Sequence, residues 1–446
     1  MKKALFTTSA LTFLVVFAFF YSDAQAIPAF ARKYKTSCAT CHTAFARMTA
    51  FGEAFRRNGY QFPGGTDLEY IKEEPVKLGA DGNKRAFPDA IWPSSIPGTA
   101  PFSLLITDEF TYDNNVEPKI AFTSFPSEVG ILTGGTLGES IAFYSEIELS
   151  DEGVEVERVQ ASLLNMFGPR SVFNLKIGKF EPGVFFFSNH RRYGPKYFLE
   201  SATVGDNQWS LEPAQQGFEL FGTAAEGRFA YNLGLVEGSG NVVNTAKDVY
   251  LHATYKIGGL RLDGIAPEEE KPFVKTKPWE DNSFIFGGFV YVGNPKLSAD
   301  AGVADGDAAG LVFGKSTASK LSQVELSQND DFTAFGGDAQ IFYGRWNLFG
   351  GIGIFDHDHP FLDDPTRGAT ATIGFGEVDY VAFPWLFPWA RYETANVDNE
   401  TVRRFSPGFT ALLRANVKVQ LFADFVKDPG QDFDFGSMEG SLLLGF

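Results

Sequence analysis

The stretch "DFTAFGGDAQIFYGRWNLFGGIGIFD", residues 331–356, holds two alternating segments on either side of the tight turn "YGRWNL". A period of two, with Phe, Tyr and Thr enriched, marks β-strands. The same pattern runs from about residue 100 to the last residue. It predicts sixteen strands, near 101–112, 119–132, 140–150, 154–166, 171–181, 215–224, 228–237, 247–258, 282–293, 331–343, 346–356, 368–382, 385–396, 403–414, 416–426 and 434–446.

The connections between these strands alternate in length. "FGPRSV", "AAEGRF", "YGRWNL" and "RANVK" are tight, whereas 181–213 and 294–331 are long and polar. Short turns on one side, long loops on the other and an even strand count form the pattern of a transmembrane antiparallel β-barrel. The 47 Phe, 47 Gly and 15 Tyr supply lipid-facing and girdle positions. The final strand, "GSLLLGF", ends on Phe446, which resembles the assembly signal of bacterial outer-membrane barrels. A soluble β-sandwich also alternates, but its loops need not alternate long and short. With a periplasmic C-terminus, the tight turns are periplasmic and the long loops extracellular. The connection 264–281 breaks this rule, being long where a short turn is expected.

Ahead of the strands lies a different kind of chain. Lys2 and Lys3 precede the apolar run 4–20, and Ala24 and Ala26 fit a small-x-small cleavage site. Residues 1–26 therefore read as a signal peptide, too short in its apolar part for an anchor helix. Residues 27–66 form a small unit, 67–99 a linker with little periodicity, and 100–446 the barrel. The whole chain carries −17. Residues 27–66 hold six basic side chains against Glu53, a net of +5, so the part beyond residue 66 is strongly acidic. That balance argues for two parts and against nucleic-acid binding by the larger.

The small unit contains "KTSCATCHTAFARM", residues 35–48, with both cysteines of the chain. Thiols three apart staple nothing distant. A zinc site needs four ligands, and a thioredoxin-type dithiol needs a βαβ setting. C-x-x-C-H is instead the attachment motif of haem c. Thiols one helical turn apart, Cys38 and Cys41, reach the two vinyl groups of one porphyrin, and His42 supplies an axial nitrogen. One covalent haem c is expected. Ser37 to Tyr60 reads as one helix, with Phe45, Met48, Phe51 and Phe55 on one face. The sixth ligand is open between Met48, on the proximal side of that helix, His190, in a long loop able to enter the lumen, and solvent. The flanking Arg32, Lys33, Lys35 and Arg47 either solvate the unit or raise the haem potential. The Arg191–Arg192 pair suits lipopolysaccharide or no specific partner.

Residues 30–60, "FARKYKTSCATCHTAFARMTAFGEAFRRNGY", resemble the head of the fused monohaem cytochrome–porins of bacterial outer membranes. The matching positions are Phe30, Ala31, Arg32, Cys38, Cys41, His42, Phe51, Gly52, Phe55, Gly59 and Tyr60. Ala46 stands where a proline is usual and Met48 where a leucine is usual. The resemblance implies an electron conduit between extracellular Fe(II), or another exterior redox donor or acceptor, and a periplasmic c-type cytochrome or similar carrier. It implies a haem domain plugging or capping the lumen. "FDHDHPFLDDPTRG", residues 355–368, gathers Asp356, His357, Asp358, His359, Asp363 and Asp364 in one expected extracellular loop. Carboxylate and imidazole suit Fe(II). A porin-type channel with a haem-bearing plug or sensor is the alternative function, and a soluble haem enzyme is disfavoured by the strand run.

Replacing Cys38 and Cys41 together with Ala is expected to abolish covalent haem while the barrel still inserts. Haem staining of a denaturing gel checks it; a positive band in the double variant would remove the attachment assignment.

Overall fold

The computed structural model describes residues 29–446 apart from 64–66, 68–69, 72–75, 78, 80, 91–94, 99–100, 115–116, 123–125, 139, 151–152, 240–245, 266–276, 298–311, 314–327 and 398–399. The expected signal peptide lies outside the described residues.

Residues 29–63 form a small head. It contains helix α1 (Ala29–Tyr34), a 3-10 turn (Cys38–Thr40), the hairpin strands β1 (His42–Ala44) and β2 (Arg47–Met48), and helix α2 (Ala50–Arg57). The single helix expected over 37–60 is thus corrected to turn, hairpin and helix. Local capping is the reason. Thr49 Oγ1 accepts from the Gly52 N–H at 3.1 Å and donates to the Thr40 carbonyl at 3.1 Å. A threonine so engaged starts a helix and cannot sit inside one. His42 therefore stands on a β-ladder directly opposite Met48. In the expected linker, β3 (Val76–Lys77) pairs with β4 (Ser95–Ile96).

The barrel strands follow. They are β5 (Phe102–Asp113), the short β6 (Ile120–Phe122), β7 (Glu128–Leu137), β8 (Ile141–Ser150), β9 (Gly153–Leu163) and β10 (Asn174–Phe180). After the short β11 (Thr203–Val204) come β12 (Gln215–Ala224), β13 (Phe229–Val236), β14 (Asp248–Gly258) and β15 (Ser283–Gly293). The short β16 (Val312–Phe313) precedes β17 (Phe332–Tyr343), β18 (Trp346–His357), β19 (Ala369–Tyr380) and β20 (Leu386–Val397). The barrel ends with β21 (Glu400–Arg414), β22 (Val417–Lys427) and β23 (Asp434–Gly445).

Sixteen long strands close antiparallel, with β6 as an extra arm between β5 and β7. The strand expected at 119–132 therefore resolves into β6 and a spanning β7. Closure pairs β23 with β5, from Ser437↔Asp113 to Gly445↔Leu105. Phe446 completes the seam, its N–H donating to the Leu104 carbonyl at 2.8 Å. A closed sheet leaves no unpaired edge, which the apolar core of a membrane requires. β14 and β15 pair from Gly258↔Ser283, so the connection between them is genuinely long.

Alternation sorts the side chains. On β14, Val249, Leu251, Tyr255 and Ile257 face outward while Tyr250, His252, Thr254 and Lys256 are buried inside. Phe284, Phe286, Val290 and Val292 extend the apolar outer belt on β15. Tyr343, Trp346, Phe383 and Trp385 mark its rim at the tight-turn end, where amphipathic rings favour a membrane interface. Gly344, at φ +56°, adopts the left-handed conformation that the tight turn after β17 requires.

The connection after β10 folds into the lumen. Val184, Phe185, Phe186, Phe187, Tyr197, Phe198, Leu199 and Trp209 are buried there. They pack on inward Phe289, Tyr291, Phe332, Phe349 and Phe375 of the wall. Burying each such ring contributes about 1.5–3 kcal/mol, so this apolar connection has no reason to stay in water. Gly351 makes the close approach possible: a Cβ there would stand 2.9 Å from the Phe187 ring.

Leu251 sits mid-strand on the outer face. Leu251→Arg is expected to destabilise the membrane-embedded barrel by about 2–4 kcal/mol, the cost of an arginine near the bilayer midplane. Denaturant unfolding in lipid vesicles measures it; an unchanged midpoint would contradict the assigned outer face.

Candidate metal centre

The head lodges in the tight-turn mouth of the barrel. Asn58 Nδ2 donates to the Asp263 carbonyl at 3.0 Å and its Oδ1 accepts from Ser171 Oγ at 2.8 Å. The Ala29 N–H donates to Ser103 Oγ at 2.7 Å, and Tyr60 stacks on Tyr144 with centroids 5.2 Å apart. Lys33 Nζ lies 2.7 Å from Asp67 Oδ2, and it donates to Thr136 Oγ1 of β7 at 3.3 Å. Arg47, at the hairpin, is buried against the barrel wall. It pairs with Glu377 and lies 3.3 Å from Asp379 Oδ2, over the rings of Phe349 and Tyr193. Of the flanking bases, Lys33 and Arg47 are thus anchors rather than a solvated fringe.

Cys38, Cys41, His42 and Met48 line a cavity of about 400 Å³, within the range of organic-cofactor sites. Helix α2 lies hard against the motif, since a Cβ on Gly52 would fall 2.0 Å from the Cys41 carbonyl oxygen. Phe45, Phe51, Phe55 and Phe62 supply apolar lining. The His42 Nδ1–Ala46 carbonyl distance is 3.3 Å, so Nδ1 can donate there and leave Nε2 as the ligating atom. Burial pushes the imidazole down to about 4, so it is neutral at pH 7 and keeps a lone pair for a metal. Burial pushes the Cys38 thiol up to about 11 and Cys41 to about 12, which keeps both protonated before any attachment.

The barrel builds the rest of this cavity. His190, Arg191 and Arg192 come from the inward connection, and Glu109, Glu128, Glu146 and Glu148 from the wall. Among the described residues, His190 Nε2 is buried without a hydrogen-bond partner. Paired thiols, an oriented neutral imidazole, an apolar lining and an orphan imidazole nitrogen in one cavity fit a haem c. The sequence-predicted Cys38, Cys41, His42, Met48 and His190 all line this cavity. Met48 and His42 share the head's ladder, while His190 comes from the barrel.

Other expected residues are not assembled. Asp356 and His357 end β18 on opposite faces, because successive strand residues alternate. Asp356 faces out and accepts from Thr370 Oγ1 at 2.8 Å. His357 is buried, with Nδ1 2.7 Å from Asp330 Oδ2 and its ring stacked on Phe332. Asp358 and His359 lie beyond the strand, and no metal-holding cluster occurs among the described residues. The expected Fe(II)-gathering loop is therefore split by strand alternation. Of the Arg191–Arg192 pair, Arg191 lies inside the barrel, 2.8 Å from Glu181 Oε2 and 3.6 Å from Glu53 Oε1. Sequence reasoning missed Arg47 with Glu377 and the carboxylate wall. The only available signal was the opposite charge of the two parts.

The chain resembles several solved barrels. OmpT of Vibrio cholerae, an outer membrane protein in trimer form, aligns at 12% identity and TM-score 0.50, over 77% of this chain and 98% of that one. The anion-selective porin of Comamonas acidovorans aligns at 11% identity and TM-score 0.50, over 77% and 98%. Salmonella typhi OmpF, in complex with daunomycin, aligns at 10% identity and TM-score 0.50, over 77% and 97%. The barrel has the fold of outer-membrane porins. No protein-family pattern matches the chain, and no curated protein does. A closed barrel with an apolar outer belt and an aromatic rim is built for an outer membrane.

Arg47→Ala leaves Glu377 and Asp379 without this cation. A loss of about 3–5 kcal/mol in head docking is expected, as for any buried ion pair stripped of one partner. Trypsin should then cleave within residues 29–63 of the detergent-solubilised protein, whereas the docked wild type should resist. Equal protection would show that the anchor is dispensable.

Proposed function

We propose that the chain is an outer-membrane cytochrome–porin that passes electrons between an extracellular donor, with Fe(II) favoured, and a periplasmic c-type cytochrome. One observation carries this reading: the C-x-x-C-H motif faces a cavity walled jointly by the head and the barrel interior. A haem c bound there supplies a one-electron iron couple. Cys38 and Cys41 hold it, His42 gives an axial nitrogen, and the Ala46 carbonyl orients that ring. Phe45, Phe51, Phe55 and Phe62 restrict water on the head side.

The lumen supports a cation as donor. Glu148 lies among Glu128, Glu157 and Glu146. Glu109 is exposed and Glu128 and Glu148 half-buried although they line the inner cavity, so this half of the lumen is wet. A carboxylate-lined cleft concentrates divalent cations, and oxygen donors suit them. Fe(II) itself comes from the resemblance of residues 30–60. The head at the tight-turn mouth is open to a periplasmic carrier when both termini are periplasmic. A diffusion channel with a haem-bearing plug or sensor is the second reading. The porin fold supports it, and the aromatic packing of the connection after β10 across the lumen weighs against it.

Anaerobic Fe(II) titration of the full-length protein in detergent tests the proposal. Fe(II) should reduce the haem, at a rate that falls with salt when Fe(II) is scarce. Raising ionic strength from 0.1 M to 1 M shortens the screening length from about 10 Å to about 3 Å. Glu128→Gln with Glu148→Gln should slow reduction at low Fe(II) and not at saturation, the mark of a capture defect. Haem reduced by a small organic donor but never by Fe(II) would remove iron from the proposal.

A further inference from the structure

The cavity holds an imidazole nitrogen that the attachment motif leaves unused. His190 lies in a 3-10 turn, Asn189–Arg191, that is held from both sides. Ser188 Oγ accepts from the His190 N–H at 3.0 Å, and Asn189 Oδ1 accepts from the Tyr197 N–H at 2.7 Å. Arg191 ties the turn to Glu181 of the same connection and to Glu53 of the head. The backbone is therefore fixed, yet His190 Nε2 is buried with no hydrogen-bond partner among the described residues. A buried imidazole nitrogen left unpaired forfeits the hydrogen bonds it would make to water, so its retention calls for a partner that is not protein. The same ring lines the cavity of Cys38, Cys41 and His42.

Its competitors are less well disposed. Met48 stands directly opposite His42 across the β1–β2 ladder, and such pairs project from the same face of a sheet. It shares the side of the proximal ligand. Lys418 lines the cavity as well, but its ammonium has no lone pair until it loses a proton. The His190 nitrogen comes from a separate element, the lumen-filling connection, and needs no such step when neutral.

We infer that His190 supplies the second axial nitrogen to a haem c held at Cys38, Cys41 and His42. The inference rests on the cytochrome reading above. It makes the barrel, through its inward connection, a ligand donor to the head, so the iron reaches its final coordination only once the head is docked. Two histidines also set a lower potential than the methionine–histidine pair that raises it in many cytochromes c.

The test uses the full-length holoprotein in detergent and reads the ferric haem by optical and electron paramagnetic resonance spectra. Wild type should be low-spin and should not bind added imidazole. His190→Ala should lose the low-spin signal completely, become high-spin, and recover a low-spin spectrum on imidazole addition. Haem staining and heat-modifiable gel mobility, read on the same sample, show that attachment and the barrel are intact. His190→Gln, closer in volume, should behave alike and separates ligation from packing. A low-spin spectrum unchanged in both variants, pointing to Met48 or Lys418, would overturn the inference, as would a high-spin wild type. Absence of any covalent haem in wild type would instead defeat the cytochrome reading itself.

Discussion

The Arg47 guanidinium is the constraint on which the arrangement of head and barrel depends. It is buried among Glu377, Asp379 and two aromatic rings, where an unpaired charge is not tolerated. Glu377 in turn accepts from Arg391 Nε at 2.5 Å, and Arg391 donates to the carbonyls of Pro195 and Tyr193 in the inward connection. Head, wall and connection therefore share one charge network, and none of the three satisfies it alone. Since Arg47 begins the strand that pairs with β1, this network also sets where His42 lies.

The interior divides into two unlike halves. Toward β14–β20 aromatic rings fill it, with Phe185 against Phe289, Phe187 against Phe375, and Trp209 against Tyr291 at centroid distances of 4.6, 4.7 and 4.7 Å. Toward β5–β9 it is polar and acidic. The attachment motif faces the cavity bordering the acidic side. A cation entering from that side would meet carboxylates, while the aromatic half holds the connection that carries His190 in place. Glu53 links the two sides. Burial alone would raise it, but Arg56, Arg191 and Arg57 hold it below the usual glutamate range.

Much of the barrel was legible because two physical rules act together. Outward positions meet lipid and inward positions do not, so the period of two is enforced on every strand. Closure then demands that each strand have two partners. The expected strands at 215–224, 346–356 and 385–396 consequently match β12, β18 and β20 to within a residue. The same alternation acts at 355–368: β18 runs on to His357, which sends Asp356 and His357 to opposite faces. In the head, apolar residues at helical spacing hid the capping role of Thr49, a local hydrogen-bond choice that periodicity does not register.

By itself, the sequence determined the barrel, its strand count and the presence of a thiol–imidazole motif, because these are set by local spacing: alternation for strands, and thiols three residues apart with His42 next in line. Only the tertiary structure decided what surrounds the motif. Glu377 is 330 residues from Arg47, and the inward turn carrying His190 is also far from Cys41 along the chain. Their meeting depends on an apolar connection burying itself in the lumen and on a buried cation finding its carboxylates. Both are long-range free-energy decisions that no short window of residues contains.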